Sequence, residues 1–182
     1  MSRPMLRSLV ALALTATCLE AALVACGAPA MAAGSLAGAW VYEPRDSDDV
    51  EAAINTAADK VNFVIRGLAA GRLRNTNKPY HRIEISQDQH NTTVKTDTRG
   101  AVKAPSSGAP AKWTRADKQV YDVVMTWRSE RRLEEAFTNA EGKRVNVYEL
   151  RPGGQAMDMR VTVSSPKLPV PLTYRLGYHR MP

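Results

Sequence analysis

From Tyr80 onward, apolar and polar residues alternate in short runs, and no other feature constrains the fold as strongly. Tyr121, Val123, Met125 and Trp127 occupy every second position, with Asp122, Val124, Thr126 and Arg128 between and after them. Met157, Met159, Val161 and Val163 alternate with Asp158, Arg160, Thr162 and Ser164. Leu172, Tyr174, Leu176 and Tyr178 alternate with Thr173, Arg175, Gly177 and His179. A period of two sends successive side chains to opposite faces of a strand, so each run has one buried and one wet side. Segments 80–87, 92–98, 132–137 and 144–150 are weaker strands of the same kind. Asp88-Gln-His-Asn91, Asn139-Ala-Glu-Gly142 and Pro152-Gly-Gly154 are turn segments of hairpin length. Segment 104–110 reads as a flexible loop and 165–171, with its three prolines, as a stiff extended one. Seven or eight consecutive antiparallel strands must bury one face, and closing the sheet on itself removes both edges. The expected architecture is therefore mainly β with one long α-helix: an up-and-down antiparallel β-barrel, the helix inserted after the first strand. An open sheet with that helix lying across it is the second solution.

The helix is expected over about 48–70. Asp46-Ser-Asp-Asp49 supplies N-cap candidates and acid at the positive end of the helix dipole. Val50, Ala53, Ile54, Ala57, Ala58, Val61, Val64, Ile65 and Leu68 follow at steps of three and four, tracing one stripe. Gly71 is the expected stop. At ~1.5 Å per residue, about 22 residues reach ~33 Å, enough to cross the mouth of a small β-structure.

The N-terminus reads as an address. Arg3 and Arg7 precede an apolar run of about a dozen residues, Glu20 interrupts it, and small residues follow. A transmembrane helix needs ~20 consecutive apolar residues, more than this run offers. Ala30-Met31-Ala32 fits a signal peptidase exit, giving a signal peptide over 1–32 and a single domain over 33–182. Leu23-Val24-Ala25-Cys26-Gly27 fits a bacterial lipobox instead, giving a lipoprotein signal over 1–25 and an acylated Cys26. Both readings export the chain, to the periplasm or, if lipidated at Cys26, to the outer membrane. The full chain carries 25 basic and 18 acidic residues, a formal charge of +7. Cleavage before Ala33 removes Arg3, Arg7, Glu20 and both cysteines, leaving a net charge of +6 and no thiol. Thiolate chemistry and thiolate metal sites are thereby excluded from that mature form.

Leu36-Ala-Gly38-Ala-Trp40 carries a Gly-x-Trp pattern that resembles the first strand of a lipocalin, and the chain as a whole resembles bacterial exported lipocalin-like (calycin-like) barrel proteins. The resemblance implies a barrel closed by Gly38, Trp40 and an arginine of the last strand, here Arg180. A guanidinium over an indole gains ~0.5–2 kcal/mol while its edge bonds carbonyls. The long helix after the first strand and the lack of a disulfide depart from that family.

Among site candidates, the inward stripe Met125, Trp127, Met157, Met159, Tyr174 and Tyr178 suits an adaptable ligand cavity, because methionine is flexible and polarisable; the same residues can equally fill a narrow barrel. Arg66, Arg72, Arg74 and Lys78, continuing into His81 and Arg82, form the densest basic patch, and Arg66, Arg72, Arg74 and Arg82 are the candidates for contact with an anion, a lipid headgroup or an acidic polymer. A solvated helix end is the alternative for them. Arg128, Arg131 and Arg132, relieved by Glu130, Glu134 and Glu135, look like an ordinary hairpin tip. His81, His90 and His179 lack metal-ligand spacing, and no catalytic or phosphate-loop motif occurs. No metal, cofactor or nucleic-acid partner is expected, and no enzymatic activity. The expected function is binding of a small apolar or amphipathic ligand at the cell envelope. The alternative is a non-enzymatic envelope protein contacting anionic lipid or polymer through its basic surface.

Overall fold

A computed structural model describes residues 35–182, so the segment read as an export signal, with Cys26, lies outside the described residues. After β1 (Gly38–Glu43) the chain forms α1 (Val50–Ala58) and α2 (Phe63–Thr76). Nine strands follow: β2 (Arg82–Gln87), β3 (Asn91–Thr96), β4 (Gly100–Pro105), β5 (Ala111–Thr114), β6 (Val120–Ser129), β7 (Arg132–Asn139), β8 (Gly142–Leu150), β9 (Ala156–Ser165) and β10 (Leu168–Arg180). All ten form one antiparallel sheet in the order β4-β3-β2-β1-β10-β9-β8-β7-β6-β5. Pairing of β1 with β10, Trp40 opposite Arg180, joins the first strand to the last. The sheet curls into an up-and-down barrel, nearly closed, whose outer strands β4 and β5 meet without a hydrogen-bonded ladder.

The alternating runs occupy the faces their period dictates. Val123, Met125, Met157, Met159, Val161, Leu172, Tyr174, Leu176 and Tyr178 are all buried. Two strands go beyond the expected seven or eight: β4 and β5 flank the segment read as a loop. The stiff segment 165–171 is largely strand, since β10 already begins at Leu168.

The single long helix is corrected to two. Asp49 caps α1 by accepting from the Ala52 amide, and Ile54, Ala57 and Ala58 bury the expected stripe. The helix then stops, and Asn62 caps a second one by accepting from the Val64 amide. Gly71 does not end α2, which runs to Thr76. Past the break the stripe fails: Val64, Ile65 and Leu68 are exposed. Arg74 clamps α2 to α1 through Glu51 and Asn55.

Hairpin chemistry is visible in the β2–β3 turn. The Asp88 carboxylate accepts the His90 and Asn91 amides at 2.8 and 2.7 Å, and these bonds lower its pKa from 3.8 to about 2. A carboxylate whose folded pKa is depressed stabilises above its unfolded value and loses that contribution as pH falls through the folded one. A carbon-detected NMR titration of Asp88 should accordingly give a midpoint near 2. A midpoint close to 4 would mean the turn is not held this way.

Candidate ligand-binding cavity

One end of the barrel is plugged. Trp40 is fully buried, donates its indole N–H to the Leu36 carbonyl at 3.0 Å, and lies under the Arg180 guanidinium, 4.3 Å from its ring. Arg180 also donates to the carbonyls of Ser35, Ala37 and Gly154, drawing three chain segments over the plug. Gly38, two residues before Trp40, has φ 140°, a value that favours glycine. The Leu36 amide reaches the β6–β7 turn at Glu130, and Arg131 donates to the carbonyls of Leu150 and Arg151.

Above the plug, rows of side chains fill the barrel interior. Met157, Tyr178 and Leu150 adjoin in register, and Tyr148, Met159 and Leu176 make the next inward row. A row higher stand Met125, Glu135, Asn146, Val161 and Tyr174, paired strand to strand. Glu135 is completely buried. It accepts from Asn146 Nδ2 and the Tyr148 hydroxyl, both at 2.8 Å, and from Arg99 Nη2 at 3.1 and 3.2 Å. Burial opposes the Arg99 charge more than any one neighbour favours it, but the Glu135 carboxylate together with Tyr80 and Tyr148 raises the arginine pKa. Burial and Glu135 together push the Tyr148 hydroxyl well above its ordinary value, which keeps it a neutral donor. This ion-pair network is a polar floor.

Over the floor an open cavity of about 670 Å³ faces the inner side of α2. Its walls include Tyr80, Trp113, Tyr121 and Phe137, with Ile65, Leu68 and Leu73 from the helix. The Arg99 guanidinium sits among three of the rings, 4.4 Å from Phe137, 5.3 Å from Tyr80 and 5.8 Å from Trp113. Arg99 Nε is buried without a hydrogen-bond partner among the described residues. Arg144 also lines the cavity; it donates to Asn146, to the Thr76 carbonyl and to Asn77, and so ties the end of α2 to the barrel wall. Arg72, Arg115, Lys143 and Lys167 stand around the cavity against Asp117 and Glu141. The lining thus has more cations than anions.

This geometry corrects the expected ligand stripe. None of Met125, Trp127, Met157, Met159, Tyr174 and Tyr178 lines the cavity. Four of them are packed core, and Tyr174 is committed to Asn77 and Arg144 through its hydroxyl. Trp127 donates to Thr92 at 2.8 Å and so bridges β6 to β3 across the gap in the ladder between β4 and β5. The basic patch also separates. Arg66 pairs with Asp59, Arg74 with Glu51 and Arg82 with Glu84, leaving Arg72 at the cavity. Glu135 belongs to the barrel interior and not to a hairpin tip. Glu135, Arg144 and Asn146 had a signal in the sequence, since each holds an inward position of an alternating strand. Arg99 had none, because it lies in the β3–β4 turn.

Fold and cavity together define a calycin-like β-barrel with two helices inserted after the first strand. No protein-family model matches the sequence, and no curated protein matches it. Solved structures do match it. One is a Schistosoma mansoni fatty acid binding protein in complex with arachidonic acid: 19% identity, TM-score 0.50, over 84% of this chain and 98% of that one. Another is a fatty-acid-binding protein from Drosophila melanogaster brain, at 15% identity and TM-score 0.51, covering 80% of this chain and 99% of its own. A zebrafish ileal bile acid-binding protein complexed with cholic acid matches at 9% identity and TM-score 0.50, over 80% and 98%. At these identities the likeness is one of fold.

Proposed function

We propose that this protein is exported and binds a small amphipathic molecule in the cavity under α2, an anionic or acceptor head toward Arg99 and an apolar body along the aromatic wall. The observation that carries this reading is the Arg99 guanidinium, which lines the cavity together with the Phe137, Tyr80 and Trp113 rings that surround it. A cation set among apolar rings attracts an acceptor more strongly than one in open water. The excess of cations around the cavity favours an anionic head. Arachidonic acid and cholic acid, named with two of the fold neighbours, are amphipathic acids of this kind. Export rests on the basic flank, apolar run and small-residue exits of the first 32 residues.

Protein purified from its host and extracted with organic solvent should yield a stoichiometric amphipathic compound. Its intact mass should lack at least the first 25 residues, with an acylated Cys26 or an Ala33 start told apart by mass. Val163 lines the cavity, so Val163→Trp fills it from a strand that is otherwise undisturbed. That variant should bind the anionic probe anilinonaphthalene sulfonate at least ~10-fold more weakly, about 1.4 kcal/mol, with unchanged circular dichroism. Repeatedly empty extracts, together with undiminished probe binding by Val163→Trp, would overturn the cavity reading.

A further inference from the structure

We propose that the first turns of α2 are a docking surface for an anionic lipid bilayer, with Phe63 and Val64 entering the membrane interface. A helix on a water-soluble barrel ordinarily turns its apolar side chains to the core. Here residues 62–68 are all exposed, and four of those seven are large and apolar. They divide by task. Ile65 and Leu68 border the cavity, where a bound molecule would cover them. Phe63 and Val64 border nothing, and are 80% and 73% exposed. A contiguous exposed apolar patch of this kind marks an interaction surface.

Charge selects the occupant. Lys60 beside the patch, and Arg72, Lys143 and Lys167 at the cavity, have no carboxylate within ion-pairing distance among the described residues. The acids nearby are already engaged: Asp59 by Arg66, Glu51 by Arg74 and Asp117 by Arg115, while Glu141 accepts from Gln119. A second copy would set this positive rim against itself. A soluble anionic polymer would satisfy the cations and leave Phe63 in water. An anionic bilayer meets both demands, taking aromatic and aliphatic side chains at its interface and cations at its headgroups. It would also bring the cavity mouth against a reservoir of amphipathic molecules. The docking surface deepens the ligand reading above but stands on α2 and its charges alone.

The test uses the full chain with Phe63→Trp. Its fluorescence is compared with wild type on phosphatidylglycerol-rich and on pure phosphatidylcholine vesicles. On the anionic vesicles the added indole should shift to the blue and be quenched by brominated lipid; on the neutral ones it should not. Membrane binding through the leader alone would leave position 63 in water. Phe63→Ser combined with Val64→Ser should lower partitioning at least ~10-fold without moving the thermal midpoint, because neither side chain is packed. High salt, at which the Debye length shrinks to ~3 Å, should release most of the wild type. Unchanged emission on anionic vesicles overturns the proposal. So does self-association that the double serine variant abolishes, and so does binding to an anionic polymer without the blue shift. An empty cavity would alter none of these readings, so the two proposals fail separately.

Discussion

Arg99→Met is expected to lower the unfolding free energy by about 3–5 kcal/mol, because it strands a charge inside the barrel. Glu135 has no contact with solvent, and Arg99 is the cation that faces it. Asn146 and Tyr148 would still donate to the carboxylate, but neither carries charge. The loss belongs to the unpaired acid and not to the missing arginine. Coupling the change with Glu135→Gln should therefore recover most of it, since replacing both partners of a buried pair is often near neutral. Urea unfolding of the wild type, the single and the double variant measures this directly. A single variant within 1 kcal/mol of wild type would mean that water reaches the floor of the cavity.

Trp40→Ala should be comparably severe, at about 3–5 kcal/mol, the range for deleting a large buried aromatic. For a domain of this size that lowers the melting temperature by on the order of 10 °C. The indole fills the plug, bonds Leu36 and supports the Arg180 guanidinium, so its loss opens a void and loosens three carbonyl contacts at once. A double-mutant cycle with Arg180→Met should give a coupling of ~0.5–2 kcal/mol. Independent effects of the two substitutions would show that the stacked geometry contributes nothing to closure.

Comparison of the two ends of the barrel explains how much of the site could be read in advance. The plug is local in pattern: a glycine, an indole and a terminal arginine, brought together by pairing of the first and last strands. Trp40 and Arg180 face each other in register, as the resemblance to lipocalins implied. The cavity is built differently. Its rings come from Tyr80 in a loop, Trp113 on a four-residue strand, Tyr121 and Phe137, and its principal cation from a turn. No spacing links them, because they converge only when the sheet has curled. The six residues expected to hold a ligand were identified by their inward phase, and that phase was real. Phase tells inside from outside but not height along the barrel axis, and those residues stand at or below the polar floor or at the strand gap.

Alternation of apolar and polar residues determined that each of these strands would bury one face, since a period of two sends successive side chains to opposite sides of the sheet. That the sheet curls into a barrel and does not lie open beneath the helices was decided by the tertiary structure. The cap at Asp49 likewise carried the start of the first helix, because a cap acts within one turn of chain; the break and the second start at Asn62 were visible only in the structure. Tertiary structure alone decided where the interior is solid and where it is hollow. It decided too that Arg99 and Glu135 meet, and that the apolar stripe of the helices splits into a packed half and a bare one. Each of these depends on which distant strands become neighbours and at what level, and residue pairs separated by 36 or 68 positions leave no periodic trace in the chain.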